Sequence, residues 1–148
     1  MIVYGLVCTH ISARKFKQQH ENIIYFVKGR NAMNEFICYP KCTTCQKAKK
    51  WLDDHNIEYT LRDIKEENPS FEELSAWYKM SGLPLKKFFN TSGLLYKSME
   101  LKDKLPAMSE EEQLTLLATD GMLVKRPIVI GEDFVLVGFK ENEWREKI

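Results

Sequence analysis

The chain lacks the features that mark a membrane protein, a secreted protein or a nucleic-acid-binding protein. Its longest uninterrupted apolar run is far too short to cross a bilayer. The N-terminus has no secretory signal pattern, and four cysteines without such a signal argue against a disulfide framework. A net charge of +1 gives no general attraction for nucleic acid or anionic lipid. We therefore expect a cytoplasmic protein with no membrane partner and no direct nucleic-acid binding.

Histidine is scarce, with three residues in 148. His10 and His20 fall in an N-terminal region without a recognisable pattern, and His55 lies at the end of a predicted helix, where the helix dipole favours a partial positive charge. No histidine stands near the cysteine motif described below. A Cys–His hydrolase is therefore disfavoured, because its nucleophile needs a neighbouring base.

The length and composition fit one globular domain that can bury its own core, with 44% apolar and 29% charged residues. Residues 1–32 differ from the rest, because they carry five basic residues against one acidic residue around two short apolar runs. We predict that residues 1–32 are a leader or N-terminal extension outside the fold and that residues 33–148 form the domain. The alternative is an extension that docks on the domain or mediates association.

Strand and helix patterns alternate at the start of the predicted domain. Residues 36–39 predict a strand, and residues 43–55 predict an amphipathic helix with apolar side chains three and four positions apart. Residues 57–61 alternate apolar and polar side chains, which is typical of a half-buried strand. The first half of the domain is therefore predicted as β-α-β.

An all-helical stretch follows, and then a hairpin and a last helix. Ser70 with Glu73 and Ser109 with Glu112 are capping-box signatures, and each predicts the start of a helix. The later elements are a short helical piece, a loop, a hairpin and a terminal helix, predicted over residues 83–89, 90–93, 128–137 and 141–148. We predict an α/β, thioredoxin-like fold: a mixed four-stranded sheet flanked by helices, with an all-helical insert between the second strand and the C-terminal hairpin.

The motif Cys42-Thr43-Thr44-Cys45 lies where the first strand turns, through Pro40 and Lys41, into the first helix. A thiol at a helix N-terminus meets unpaired N–H groups and the positive end of the dipole, which favour the reactive thiolate. Lys41 adds a nearby cation. The second sulfur lies about one turn away, within reach of a disulfide formed at the first. This spacing indicates a redox-active cysteine pair.

Two other interpretations of the cysteines are open at this point. The pair could be structural, because free cysteine is often buried and inert. A zinc site could combine Cys38, Cys42 and Cys45 with Cys8, but the second paired knuckle of a zinc ribbon is missing. Cys38 is more simply a core residue of the first strand. We therefore predict no metal.

Two motifs together resemble one family. The segment Tyr39-Pro40-Lys41-Cys42-Thr43-Thr44-Cys45 and the later Lys125-Arg126-Pro127-Ile128 are similar to motifs of the ArsC/Spx/YffB group, which are arsenate reductase-like proteins of thioredoxin fold. The resemblance covers residues 33–148, and the segment over residues 82–93 looks most like the YusI and YffB type.

The resemblance implies a role for each matching residue. Cys42 matches the family's nucleophile, and Cys45 matches the second cysteine of the Spx-like redox switch. Arg126 matches an arginine that holds an anion or supports the thiolate. Pro127 matches a cis-proline facing the active cysteine, with Pro40 as a structural residue of the site and Lys41 as further anion or thiolate support.

The chain departs from two branches of that group. Further oxyanion-binding arginines of arsenate reductases would align near Asn90 and Gly138, and neither residue is a cation. Arsenate reduction itself is therefore not expected. The glycine and arginine that the resemblance associates with binding the RNA polymerase α subunit are missing between Leu83 and Ser92.

We expect a thiol-dependent reductase in which Cys42 attacks an oxidised substrate and Cys45 resolves the intermediate, with no bound cofactor. Electrons would come from a glutathione-like thiol, glutaredoxin or thioredoxin, so the expected partner is a redox protein or a small thiol. The alternative is an Spx-like regulator whose disulfide switches binding to RNA polymerase. A scaffold without chemistry is the third interpretation.

Overall fold

A mixed four-stranded sheet forms the centre of the protein in a computed structural model, which describes residues 34–148. The strands are β1 (Asn34–Cys38), β2 (Tyr59–Asp63), β3 (Ile128–Ile130) and β4 (Val135–Val137), in the spatial order β2-β1-β3-β4. Strand β1 is parallel to β2 and antiparallel to β3, and β3 pairs with β4 in a hairpin. The predicted leader or extension over residues 1–32 lies outside the described residues, so that boundary stays a prediction.

Six helices surround the sheet in the described part of the chain. The crossover between the parallel strands is α1 (Thr43–Asp54), and the chain ends in α6 (Glu141–Lys147). The insert between β2 and β3 contains four helices and three short 3₁₀ turns: α2 (Phe71–Ser81), α3 (Leu94–Ser98), α4 (Leu101–Lys104) and α5 (Glu110–Leu117), with turns at Leu85–Phe88, Leu105–Ala107 and Gly121–Leu123. The predicted thioredoxin-like α/β architecture with an all-helical insert is confirmed.

Local signals in the sequence start the two longer insert helices, α2 and α5, as predicted. Both capping boxes form, with Ser70 and Ser109 each accepting a hydrogen bond from the backbone N–H three residues on. Helix α2 ends at Gly82, whose φ of 64° is a left-handed conformation that glycine adopts without steric cost. These local devices set the direction in which the chain enters the helical insert.

The position of β2 differs from the prediction. The alternating pattern predicts a strand over residues 57–61, whereas the paired strand is Tyr59–Asp63. The shift brings Arg62 into the sheet, where its Nη1 lies 2.8 Å from a carboxylate oxygen of Glu73 and 3.5 Å from one of Glu35. Because these two acids compensate the half-buried charge, a residue that suggests a loop in isolation becomes part of a strand.

Two apolar cores lie on opposite faces of the sheet, because successive strand residues point to opposite sides. Ile37, Ile128 and Val135 face the insert helices, and the side chains of Leu74, Trp77, Phe88 and Leu117 are buried with them. The other core contains nine buried side chains from β1, α1, β3, β4 and α6: Phe36, Cys38, Cys45, Ala48, Trp51, Leu52, Val129, Leu136 and Trp144. Cys38 is buried, as the sequence predicts, and the three tryptophans are buried as well.

The side chain of Trp144 packs α6 against the sheet. Its ring makes edge contacts with Phe36, Trp51 and Phe139, and its Nε1 donates a hydrogen bond to the Gly138 carbonyl at 3.1 Å. The side chain is 1% exposed. Trp144 therefore fixes the segment that joins β4 to α6. Within residues 34–148, no helix is long and apolar enough to cross a membrane.

We predict that Trp144→Ala lowers the free energy of unfolding by about 3–5 kcal/mol, because it removes a large buried ring and leaves a cavity. Trp144→Phe should cost less, since it keeps an aromatic ring and loses the hydrogen bond. Leu94→Ala is the control, because Leu94 is 86% exposed and its change should stay within about 0.5 kcal/mol. Urea unfolding followed by circular dichroism measures all three. Equal midpoints for Trp144→Ala and the control would contradict this packing role.

Candidate functional site

The cysteine pair lies at the carboxyl end of β1, where a tight turn passes the chain into α1. The Cys42 N–H donates to the Tyr39 carbonyl at 2.9 Å, which closes the turn. Cys42 is the N-cap of α1 in extended conformation, and its carbonyl accepts the first helical hydrogen bond, from Gln46 at 3.0 Å. Gln46 Nε2 also donates to the Pro40 carbonyl at 3.0 Å. The first cysteine of the motif is therefore held at the helix start, as the sequence predicts.

The pKa of the Cys42 thiol lies below its usual value, although partial burial by itself would raise it. Hydrogen bonding from the backbone and thiol of Cys45 and from the Thr44 backbone outweighs burial, and the positive charge of Arg126 adds to the effect. These backbone N–H groups belong to the first turn of α1 and have no partner within the helix, so the Cys42 thiolate can accept hydrogen bonds from them. Cys42 is also partly exposed. It is therefore the thiol suited to nucleophilic attack.

Cys45 has the opposite character. Its side chain is 2% exposed, and burial is the main reason why its pKa rises to about 12. The hydrogen bond that its thiol gives to Cys42, and the negative charge on Cys42, raise the pKa further, whereas the Tyr39 N–H opposes the rise from 3.5 Å. One thiol is therefore poised to ionise, and the other stays protonated and donates to it.

Arg126 and Pro127 lie in the segment that leads into β3. The peptide bond between them is cis, as the resemblance implies, and Pro127 is buried. The guanidinium carbon of Arg126 lies 5.2 Å from the ring centroid of Tyr39, the residue that also closes the cysteine turn. Nη1 reaches the Met122 carbonyl at 3.5 Å, and Nε is buried without a hydrogen-bond partner. Among the described residues, no carboxylate forms an ion pair with Arg126, so its charge is available to Cys42 or to a bound anion.

A groove of about 1,150 Å³ opens beside Cys42. Cys42 and Thr44 line it from the start of α1, and three further segments complete it: residues 83–95, 120–126 and 137–143. We call this cavity the Cys42 groove. Asn90 and Gly138, the positions at which the resemblance places arginines, both line it. The Cys42 groove therefore lacks an arginine at the two positions where the resemblance to arsenate reductases places one.

The Cys42 groove is nonetheless positively charged. Five basic and two acidic side chains line it: Lys86, Lys87, Lys125, Arg126 and Lys140 with Asp120 and Glu143. Lys86, Lys87 and Lys140 come from segments far from the cysteines in sequence, so the motif analysis does not find them. Lys125 is the exception, because it directly precedes Arg126. Only the tertiary fold brings the three segments together.

The other predicted site residues lie as follows. Pro40 is exposed at the turn, and Lys41 is exposed and is not among the residues that line the groove. Cys38 is buried in the core, and burial raises the pKa of its thiol. Within residues 34–148, no group of three or more His, Cys, Asp or Glu side chains is arranged to hold a metal ion. Cys8, the fourth sulfur of the zinc alternative, lies outside the described residues.

His55, at the end of α1, acts locally. Its Nδ1 lies 2.8 Å from the Trp51 carbonyl, and its ring stacks on the Trp51 ring with centroids 4.0 Å apart. His55 therefore belongs to the helix end, as predicted, and is not among the residues of the Cys42 groove.

Comparison with known proteins identifies relatives over the described domain. The protein YusI of Bacillus subtilis, whose role is uncharacterised, is 58% identical over 111 residues, which cover 75% of this chain and 94% of YusI. The global transcriptional regulator Spx of Staphylococcus saprophyticus is 30% identical over 106 residues, covering 72% of this chain and 79% of Spx. The similarity to YusI is therefore stronger than the similarity to Spx, as the sequence predicts.

A solved structure and a family model agree with these relatives. The crystal structure of a putative ArsC family related protein from Bacteroides fragilis superimposes with a TM-score of 0.76 and 63% sequence identity, covering 78% of this chain and 98% of that protein. The model of the ArsC family matches residues 38–147, a span that begins at the end of β1 and includes both cysteines and the Arg126–Pro127 segment. On sequence, fold and site placement together, the chain belongs to the ArsC family.

Proposed function

We propose that the protein is a thiol-disulfide oxidoreductase that reduces disulfides through Cys42 and Cys45. The observation that carries the proposal is that the two thiols differ in exposure and in pKa. Cys42 is partly exposed in the groove and its pKa is lowered, whereas Cys45 is buried behind it and its pKa is raised to about 12. A nucleophile at the surface with a resolving thiol beneath it is the arrangement that two-step disulfide exchange needs.

In the first step the Cys42 thiolate attacks one sulfur of a substrate disulfide. The substrate S–S bond breaks, a mixed disulfide forms between Cys42 and one half of the substrate, and the other half leaves as a thiolate that takes a proton from solvent. Arg126 supports this step, because its guanidinium, which forms no ion pair among the described residues, helps to lower the pKa of Cys42.

In the second step Cys45 attacks the Cys42 sulfur, and the remaining half of the substrate leaves as a thiolate. Two of the influences that raise the pKa of Cys45 are its hydrogen bond to Cys42 and the charge on Cys42. Both disappear when Cys42 enters the mixed disulfide, so Cys45 ionises more easily when it has to act. The proton of Cys45 passes to solvent or to the departing thiolate, and an internal Cys42–Cys45 disulfide results.

Two electrons from a glutathione-like thiol, glutaredoxin or thioredoxin would reduce that disulfide and close the cycle. A cytoplasmic location fits this role, because thiols there are kept reduced. Arsenate is not the proposed substrate. Of the described residues that line the groove, Arg126 is the one arginine, and a tetrahedral oxyanion is best held by several directed donors.

A redox-switched regulator is the second candidate, and the similarity to the transcriptional regulator Spx favours it. In that case formation of the Cys42–Cys45 disulfide would change a surface read by a partner such as the RNA polymerase α subunit. Capture of that subunit from purified components, with the protein reduced and then oxidised, separates the candidates. Redox-dependent capture without disulfide turnover would favour the regulator.

We predict that the pH midpoint of Cys42 alkylation lies below about 8.5, the value of an unperturbed thiol. Cys45→Ala should raise this midpoint, because it removes a hydrogen bond to the thiolate. Arg126→Gln should raise it less, since the charge of Arg126 is the smaller influence. Iodoacetamide labelling followed by peptide mass spectrometry measures each midpoint. A wild-type midpoint at or above 8.5 would remove the chemical basis of the proposal.

We predict that Cys45→Ser arrests the reaction at the mixed disulfide. With bis(2-hydroxyethyl) disulfide, the variant should accumulate an adduct on Cys42, and turnover should fall by at least about tenfold, because the internal attack is lost. Cys42→Ser should form no adduct. Cys38→Ala is the matched control, since that thiol is buried in the core and no step uses it. An adduct on any other cysteine, or full turnover by Cys42→Ser, would overturn the assignment of the nucleophile.

Burial is the main cause of the raised pKa of Cys45 and persists in the mixed disulfide, so it predicts how the wild-type reaction depends on pH. The rate of adduct formation should level off above the lowered pKa of Cys42, whereas the rate of adduct resolution should keep rising toward alkaline pH. Near neutral pH the mixed disulfide should therefore be detectable as a transient by rapid acid quench and mass spectrometry. The pH range from about 6 to 9 spans the usual thiol titration. A rate of adduct resolution that does not change over this range would contradict the role of Cys45.

A further inference from the structure

The Cys42 groove is larger than a small thiol or an inorganic oxyanion requires. Pockets that bury drug-sized molecules are about 300–1,000 Å³ in volume, and this groove is about 1,150 Å³. It extends from the nucleophile along the insert and along the segment that joins β4 to α6. Much of its wall therefore lies beyond the reacting sulfur, where it can contact further parts of a substrate.

Most of the basic side chains in the groove have no acidic partner. Lys140 is paired with Glu143, with Nζ and Oε1 2.6 Å apart. Within residues 34–148, no ion pair involves the other four basic residues that line the groove: Lys86, Lys87, Lys125 and Arg126. Five basic side chains against two acidic ones leave the groove with a net positive charge, and the sign of that charge selects an acidic ligand.

The groove also presents apolar surface to solvent. Leu94 is 86% exposed, against 57% for Leu61 and 42% for Met80, the other large hydrophobic side chains that are exposed among the described residues. Leu94 and the partly buried Phe139 both line the groove. A small hydrophilic thiol has no large apolar group to cover these side chains, whereas a polypeptide segment does.

We propose that the substrate of the Cys42 groove is a protein, presented as a segment in which acidic and apolar side chains flank an oxidised cysteine. This inference rests on the proposed function, since the reaction is the same two-step exchange. The Cys42 thiolate breaks the substrate disulfide, the basic side chains hold the acidic residues of the segment, and the surface around Leu94 receives an apolar one. Cys45 then releases the segment with its cysteine reduced.

The experiment compares short peptides that share one cysteine and differ only in charge. Leucine and phenylalanine flank the cysteine in all of them, and the remaining positions are glutamate, glutamine or lysine. Each cysteine is capped as a disulfide with mercaptoethanol, which adds no charge. The rate of adduct formation is measured on the full-length Cys45→Ser chain, and binding without chemistry is measured by fluorescence anisotropy with serine in place of the peptide cysteine.

We expect the glutamate peptide to react about tenfold faster than the lysine peptide at low ionic strength, with the advantage shrinking as salt is added. The triple change Lys86→Gln, Lys87→Gln and Lys125→Gln should reduce this ratio to near one, and Leu94→Ser should weaken anisotropy binding of the glutamate peptide. The matched control carries Lys65→Gln, Lys97→Gln and Lys102→Gln, which remove the same charge outside the groove. The control should keep the ratio.

The outcomes separate the inference from the proposed function. Equal rates for the three peptides, or glutathione disulfide reacting faster than the glutamate peptide, would overturn the protein substrate while disulfide reduction stood. Anisotropy binding of the glutamate peptide without reduction of any disulfide would overturn the proposed function. Loss of the ratio in the control triple as well would overturn the assignment of the groove lysines.

Discussion

The stabilisation of one thiolate at the start of α1 is the interaction on which the rest of the site depends. Cys42 is the N-cap of that helix, so backbone N–H groups that have no helical partner surround its sulfur. Cys45, one turn later, is buried and protonated and donates a hydrogen bond to the same sulfur. The two pKa values are therefore linked: the acidity of one thiol is supported by the proton retained on the other. In the proposed reaction, loss of the Cys42 thiolate removes this interaction with Cys45, and that change sets the order of the two steps.

The fold serves this arrangement from both faces of the sheet. Cys42 lies in the turn that follows the carboxyl end of β1. The segment before β3 holds the guanidinium of Arg126 over the Tyr39 ring. Trp144 fixes the Gly138 carbonyl and with it the end of β4 that lines the groove. The helical insert supplies the opposite wall with its lysines and its exposed leucine. The insert adds a wall to the positively charged groove that Cys42 lines, and the substrate proposal rests on this added wall.

The architecture and the position of the cysteine pair at a helix start could be predicted from the sequence because their signals are local. The capping boxes at Ser70 and Ser109 and the cysteine motif each act within one helical turn, and the resemblance implied the cis bond before Pro127. The register of β2 could not be predicted, because Arg62 becomes a strand residue only through acids from β1 and α2. Helices α3 and α4, of five and four residues, were too short to leave a periodic pattern. The groove lysines could not be predicted as site residues for a related reason. Nothing in the local sequence distinguishes Lys86 or Lys140 from an ordinary solvated lysine.

The central claim is that Cys42 and Cys45 exchange two electrons as a pair. A redox titration in glutathione buffers, with the state of each cysteine read by differential alkylation and mass spectrometry, tests it most directly. The account predicts that both thiols disappear together into one internal disulfide, with the two-electron slope of about 30 mV per tenfold change in ratio. Cys38 should stay reduced throughout. Oxidation of Cys42 to a glutathione adduct while Cys45 remained a free thiol across the whole titration would contradict the account.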